Sequence, residues 1–144
     1  AYEIRNCDWS SDVCSSDLFQ SELLFATGSA DLGPDGRAQV RSLANTLREI
    51  SAQIPADLDW VLRVDGHTDK RPIATVQFPS NWELSTARAT GVVRFLISAD
   101  VQPERLKAAG YADVRPKFPN RDLFGEPIPE NRKKNRRISI RLHP

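Results

Sequence analysis

The strongest structural signal in the sequence is the segment VDGHTDKRPIATVQFPSNWELSTARATGVVRFL, from Val64 to Leu96. It continues an alternating run, Asp59 to Asp65, whose period of two predicts a strand that Gly66 closes. A loop with two prolines follows. The part from about Asn81 to Ile97 then has the apolar spacing of an amphipathic helix. The stretch therefore predicts a strand, a polar turn and a helix.

The chain on either side supplies further elements. The apolar-rich run Phe19 to Ala26 predicts a first strand. A helix is predicted to begin at Pro34, which suits the first helical position, and to end before Pro55. Its apolar stripe has spacings of three and four and consists of Val40, Leu43, Leu47, Ile50 and Ile54.

The C-terminal part predicts two more strands. Ala108 to Val114 is the third, after a short helical turn, and the alternating run from Arg137 to Leu142 is the last. Residues 115–135, rich in proline, asparagine and charge, predict a long loop. The order β-α-β-α-β-β predicts an α+β fold, a two-layer sandwich with helices on one side of a mixed sheet of about four strands.

Composition is that of one soluble globular domain. The chain has 144 residues, of which 40% are hydrophobic and 27% charged, and its net charge is +1. These values argue against disorder, and the charge is too small to imply a polyanionic partner. No apolar run approaches the roughly 20 residues of a membrane-spanning helix.

Residues 1–18 lack the periodic patterns of the rest of the chain. AYEIRNCDWSSDVCSSDL has neither a helical nor a strand period, and it holds both cysteines, Cys7 and Cys14. It resembles a translated adapter fragment, so we predict a non-native segment, with a natural disordered linker as the alternative. The domain is accordingly predicted to span residues 19–144. The absence of cysteine there leaves no disulfide framework.

Three motifs occur in a recognisable order. Gly66-His67-Thr68-Asp69 follows a strand, Asn81, Leu84-Ser85 and Arg88-Ala89 open a helix, and Asn135-Arg136-Arg137 precedes the last strand. This pattern resembles the OmpA-like peptidoglycan-binding domain over residues 19–142. The stretch from Phe78 to Ser85 and the longer loop before it are most similar to the stator-type branch, MotB and its relatives.

The resemblance implies a ligand site for the diaminopimelate of peptidoglycan stem peptides. Diaminopimelate carries an ammonium and a carboxylate on one carbon. Asp69 can accept the ammonium, and the Arg88 guanidinium can donate two parallel hydrogen bonds to the carboxylate. The resemblance also implies that Asn81 and Thr68 contact the ligand. Supporting positions are His67, Leu84 and Arg137.

Each of the two charged residues also has a purely structural interpretation. Asp69 could cap a turn, and Arg88 could be a solvated residue paired with Glu83 or Glu104. Arg88, however, shares a helix face with Leu84, which should be buried. An arginine on such a face needs a carboxylate partner. Together with the full motif set, this favours the binding interpretation.

Other functions have weaker support in the residues. His67 and His143 are the only histidines, too few for a zinc site, so no metal and no cofactor are expected. Ser85, His67 and Asp69 could form a hydrolytic triad, but no G-x-S-x-G elbow is present. The basic run Arg132 to Arg137 lacks aromatic neighbours for base stacking, so nucleic acid is not an expected partner. We therefore predict that the domain is not an enzyme.

The resemblance implies a periplasmic domain that anchors a membrane protein to peptidoglycan. In the stator-type version, a missing N-terminal segment would hold a transmembrane helix of an inner-membrane protein, and the domain would work as a homodimer in a flagellar or related motor. The alternative is an outer-membrane or lipoprotein anchor, and a peptidoglycan hydrolase is a more distant one.

Overall fold

Four strands form one mixed sheet in this computed structural model, which describes residues 16–26, 28–55, 59–70 and 73–143. The elements in chain order are β1 (Ser16–Gln20), α1 (Ser21–Leu24), α2 (Pro34–Gln53), β2 (Val61–His67), α3 (Asn81–Ser98), β3 (Leu106–Gly110), α4 (Pro129–Asn135) and β4 (Arg137–His143). A short 3-10 turn, Pro103–Arg105, precedes β3. The strand order is β1-β4-β2-β3, with β3 parallel to β2 and β4 antiparallel to both neighbours. The predicted α+β fold is confirmed.

The core lies between the long helices and one side of the sheet. α2 begins with Pro34 at its first turn and ends at Gln53, before Pro55, as predicted. Its buried stripe packs with alternate residues of β2 and β4 and with the inner face of α3. The buried apolar residues of these elements are Val40, Leu43, Ala44, Leu47, Leu62, Val64, Ala89, Val92, Leu96, Ile138, Ile140 and Leu142. Burying each larger side chain contributes about 1.5–3 kcal/mol.

The first strand differs from its prediction. β1 spans Ser16–Gln20, and the chain then makes the helical turn α1 instead of continuing extended to Ala26. The turn places Leu24 in the core. Residues 16–18, which we had assigned to the non-native segment, pair with β4. Residues 1–15 lie outside the described part of the chain, so the origin of residues 1–18 stays a prediction.

The C-terminal elements are also corrected in part. β3 is Leu106–Gly110, not Ala108 to Val114, because its parallel pairing with β2 ends where Gly66 lies beside Gly110. The chain then bends through Ala112, whose φ is +49°. The predicted loop 115–135 contains the short helix α4, which begins at Pro129. Within the described residues, no helix is long and apolar enough to span a membrane.

Two paired glycines allow α3 to approach the sheet closely. A Cβ atom on Gly66 would lie 2.2 Å from the carbonyl oxygen of Ser85, and one on Gly110 would lie 2.2 Å from Oγ1 of Thr86. A Cβ atom on Gly110 would also lie 2.6 Å from the backbone nitrogen of Thr86. Real Cβ atoms do not approach backbone so closely, so only glycine fits at either position. The Ser85 hydroxyl accepts a 3.1 Å hydrogen bond from the Ala112 N–H, which ties the first turns of α3 to the chain after β3. This contact sets the position of the residues that α3 contributes to the candidate site.

Candidate functional site

A cavity of about 380 Å³ lies where the end of β2, the start of α3, α1 and the α4–β4 junction meet. Its lining combines charged, polar and apolar side chains. The lining residues are Ser21, Glu22, Phe25, Gly28, Thr68, Asp69, Ile73, Asn81, Leu84, Arg88 and Arg136. All four predicted ligand residues and one supporting residue are among them. A larger depression of about 1020 Å³, along α2 and α3, contains none of the predicted residues.

Asp69 is the buried anion of this cavity. Only 3% of its surface is exposed, and its carboxylate accepts a hydrogen bond from the Arg136 guanidinium. Arg136 also donates to the carboxylate of Glu22. Burial alone would lower the pKa of Arg136, but the hydrogen bonds to Asp69 and Glu22 outweigh burial and raise it. Asp69 is therefore held in place by a fully charged arginine.

Arg88 is the second cation of the cavity, and backbone carbonyls hold it. Its Nε donates to the carbonyl of Ser29 at 2.8 Å, and one terminal nitrogen donates to that of Ala26 at 3.3 Å. Its guanidinium carbon lies 5.2 Å from the centre of the Phe25 ring. The two carbonyls and the ring stabilise the cation within the protein, and a carboxylate partner from a ligand stays a prediction.

The electrostatics of Arg88 follow from its burial. Desolvation lowers the pKa of its guanidinium, the charge of Glu22 opposes this, and Arg136 adds to it. A guanidinium has five N–H donors, of which the carbonyls of Ala26 and Ser29 receive two bonds. The charge of a carboxylate that entered the cavity would compensate the cost of burying this cation.

The remaining predicted residues shape the cavity. The Thr68 N–H donates to the carbonyl of Ala112 at 2.8 Å, which fixes the chain just before Asp69. Asn81 is the first residue of α3, and Ser80 caps this helix by accepting from the Trp82 N–H at 3.2 Å. Leu84 is buried and forms part of the apolar wall. Asn81 thus lies at a helix N-terminus, which favours an anionic group nearby.

The charges of the cavity are balanced. The carboxylates of Glu22 and Asp69 face the guanidiniums of Arg88 and Arg136. A cavity of this kind can hold a molecule that carries one positive and one negative group, because each group meets an opposite charge in a partly desolvated setting.

His67 and Arg137, the other two supporting residues, lie away from the cavity. The His67 ring stacks on Tyr111, with ring centres 5.2 Å apart. Burial, together with the nearby charges of Arg137, Arg141, Arg115 and Arg63, lowers the pKa of His67 to about 3. Arg137 donates to the backbone carbonyls of Asn135 and Arg115 at 3.2 and 3.0 Å. Arg136 lies at the junction between α4 and β4 and lines the cavity, whereas Arg137, the first residue of β4, does not.

The three residues considered for a hydrolytic triad, Ser85, His67 and Asp69, each interact with other groups. The Ser85 hydroxyl donates to the carbonyl of Trp82 at 3.1 Å and accepts from the Ala112 N–H, so its bonds go to backbone groups. His67 lies on the Tyr111 ring, and the carboxylate of Asp69 bonds Arg136. In the described ranges, no group of three or more His, Cys, Asp or Glu side chains could hold a metal ion.

Sequence reasoning missed two charged residues of the cavity lining, Glu22 and Arg136. Arg136 was part of a quoted motif, but Arg137 was selected as its supporting residue. Glu22 had no motif, and it contacts Arg136 across 114 residues of sequence. Arg136 could have been predicted from its motif. Glu22 could not, because only the fold brings it next to Arg136.

Family comparison gives an independent result. A family model described as the OmpA family matches residues 24–136. The uncharacterized protein YtxE of Bacillus subtilis is 38% identical over 85% of this chain and 46% of its own length. Motility protein B of Helicobacter pylori is 30% identical over 83% of this chain and 42% of its own length. The chain thus spans less than half the length of these relatives.

Solved structures agree with this result. A MotB-like protein from Desulfovibrio vulgaris has a TM-score of 0.75 and 29% identity, over 89% of this chain and 72% of that one. The cell wall anchor of the T6SS from Pseudomonas aeruginosa has a TM-score of 0.72 and 31% identity, over 89% of this chain and 79% of that one.

Proposed function

The chain belongs to the OmpA family, and from this premise we propose that it binds the diaminopimelate of peptidoglycan stem peptides non-covalently and thereby anchors a membrane protein to the cell wall. The family, and the cell wall anchor among the similar structures, support peptidoglycan anchoring. The cavity supports the finer assignment to diaminopimelate.

One observation carries the proposal: a buried carboxylate and a buried guanidinium line the same cavity. Asp69 and Arg88 are 3% and 6% exposed. In the proposed complex, the ligand ammonium bonds Asp69, and the carboxylate on the same carbon takes two bonds from Arg88. Both contacts form in a desolvated setting, where charge-assisted hydrogen bonds are strongest.

Arg136 has a positioning role in this proposal. Its guanidinium holds the carboxylate of Asp69 from one side and that of Glu22 from the other. It thus fixes the orientation of the anion before the ligand arrives. A site that is ordered in advance loses less conformational entropy on binding.

Three further assignments belong to the proposal. The relatives named motility protein B and the periplasmic domains of MotB among the solved structures support a periplasmic domain. We extend this to an inner-membrane parent of stator type that acts as a homodimer. An outer-membrane or lipoprotein anchor is the second candidate, and the relative named outer membrane protein A of Bordetella avium supports it.

Sedimentation with purified sacculi tests the proposal. We expect the chain to sediment with diaminopimelate-containing sacculi and to release no soluble muropeptides, because Ser85, His67 and Asp69 each interact with other groups in the described part of the chain. Release of muropeptides would contradict the non-enzymatic assignment. A chain that stays in the supernatant would contradict the anchoring function itself.

A further inference from the structure

The side of the sheet that faces away from the helices carries a row of cations. In the strand register, Arg63 of β2 lies directly between Arg141 of β4 and Lys107 of β3. Neighbouring strands lie about 4.8 Å apart, so three positive side chains project side by side from three adjacent strands. Like charges directly opposite each other on paired strands are destabilising. The row is therefore unfavourable for the domain by itself.

Two further arginines lie beside this row. Arg137 is on the same side of the sheet, because it pairs with His67, which is four residues after Arg63 on β2. The Arg115 guanidinium lies 4.9 Å from the centre of the Tyr111 ring, and the Arg63 guanidinium lies 5.7 Å from the same ring. We call these five cations the basic face: Arg63, Lys107, Arg115, Arg137 and Arg141.

A buried carboxylate compensates part of the charge of the basic face. Asp65 is on the same side and is only 1% exposed, and both of its carboxylate oxygens accept from Nε of Arg63 at 2.9 Å. The basic face and Asp65 together have a formal charge of +4, whereas the whole chain has +1. Burial and the charges of four arginines lower the pKa of His67 to about 3, in agreement with a positive potential on this side.

The exposure of the basic face narrows the choice of partner. Lys107 and Arg115 are exposed, and Arg141 is partly exposed. Tyr111, the ring among these cations, already stacks on His67 and lies under Arg115, so it does not offer a free ring for stacking on nucleobases. Cations that project in parallel from a sheet match negative charges that are spread over a plane.

We propose that the basic face docks on a bilayer that contains anionic phospholipids, with the phosphate groups of several lipids against the exposed cations. Guanidinium and ammonium groups form charge-assisted hydrogen bonds with phosphate oxygens. An anionic surface would also offset the repulsion within the row of cations. The proposal takes from the proposed function only that a membrane is near the domain. It goes beyond that function, because the cavity for the stem peptide is lined by none of these five residues.

Co-sedimentation with vesicles tests this docking surface. The whole chain should sediment with vesicles of phosphatidylcholine and phosphatidylglycerol, less so as salt is added, and not with vesicles of phosphatidylcholine alone. Each basic residue near an anionic bilayer raises the affinity roughly fivefold, so the double variant Lys107→Gln, Arg115→Gln should bind about twentyfold more weakly. The matched control, Arg37→Gln, Arg48→Gln, removes two exposed charges from α2, on the other side of the sheet, and should bind like the parent.

Two further measurements separate docking from unfolding and from the cavity. The melting temperature of the double variant and its calorimetric affinity for the stem peptide should equal those of the parent. The proposal is wrong if the parent stays in the supernatant with the anionic vesicles, or if the α2 control loses as much affinity as the double variant. Release from the vesicles by inorganic phosphate, at an equal phosphate concentration and constant ionic strength, would also overturn it, because the basic face would then bind a free anion. A parent that binds the vesicles as expected but not the stem peptide supports this docking surface and overturns the proposed function alone.

Discussion

The cavity and the opposite side of the sheet both collect arginines, yet they differ in what the arginines face. In the cavity, two guanidiniums meet two carboxylates around an open volume. Beyond the sheet, Arg63, Arg115 and Arg137 surround the His67–Tyr111 stack, and Asp65 is the carboxylate that Arg63 bonds, at 2.9 Å. There, Arg63 and Arg115 lie over the Tyr111 ring. Arg137 donates to backbone carbonyls. The number of charges therefore does not identify a site; opposite charges around a cavity do.

The largest effect should come from the charged pair of the cavity. Asp69→Ala and Arg88→Ala each remove one partner of a buried contact, which typically costs about 2–5 kcal/mol. Stem-peptide affinity measured by calorimetry should fall more than about tenfold for each. Arg88→Lys should fall nearly as far, since an ammonium cannot donate two parallel bonds.

Two controls accompany these variants. Lys133→Ala, at an exposed position of α4, should weaken binding only slightly and mainly at low salt. Arg115→Ala, beyond the sheet, should leave affinity unchanged. If folded Asp69→Ala and Arg88→Ala proteins bind the stem peptide as tightly as the parent, the cavity is not the binding site. It would then be no more important for binding than the arginines on the other side of the sheet.

A somewhat smaller effect is expected at the contact that places the cavity's helix. Gly66→Ala puts a methyl group against the backbone of Ser85, so α3 must shift. We expect unfolding to become easier by about 3 kcal/mol, with weaker stem-peptide binding. Ala109→Ser, one residue before the paired Gly110 on β3, serves as the comparison and should be mild. A Gly66→Ala protein of parental stability would show that α3 approaches the sheet less closely than described.

The stability of the region around the His67–Tyr111 stack should depend on pH. Because burial and four arginines lower the pKa of His67 from 6.5 to about 3, the unfolded chain binds more protons between these values. Stability should therefore fall as the pH drops below 6.5, with His67 contributing about 2 kcal/mol of the loss by pH 4.5 after allowance for partial solvent access. His67→Phe keeps a ring on Tyr111 and cannot take up a proton. Melting curves from pH 7.5 to 4.5 should show a shallower decline for this variant, and parallel curves would contradict the assignment.

The smallest effect should come from removing residues 1–15. Their sequence has no helical or strand period, so we expect an unchanged melting temperature. Removing residues 1–18 instead takes away three positions paired with β4 and should lower it by several degrees. A drop for the shorter deletion would show that the segment contributes to the fold.

The sequence predicted the helices and strands whose apolar pattern repeats over many residues. α2, α3, β2 and β4 were placed within one or two residues, because their apolar spacing persists over several turns or alternations. The helices α1 and α4 have four and seven residues, too few to produce a pattern. The end of β3 depends on pairing with Gly66, which the local sequence does not contain.

For the site, motif spacing brought the right chain segments together but not every side chain. Asp69, Arg88, Asn81, Thr68 and Leu84 converge on the cavity. His67 and Arg137 do not, because a motif of consecutive residues does not state which side of a strand each one faces. The role of these residues in ligand binding remains the proposal that the first prediction tests.

The direction of β1 has a mechanical consequence for an anchor. Ser16 pairs with Arg141, whereas Gln20 pairs with Arg137, next to the cavity residue Arg136. In the proposed anchor, a load applied at Ser16 and resisted at the cavity would thus run lengthwise along the strand. The hydrogen bonds between β1 and β4 would then share the load in shear, instead of opening one after another as in a zipper.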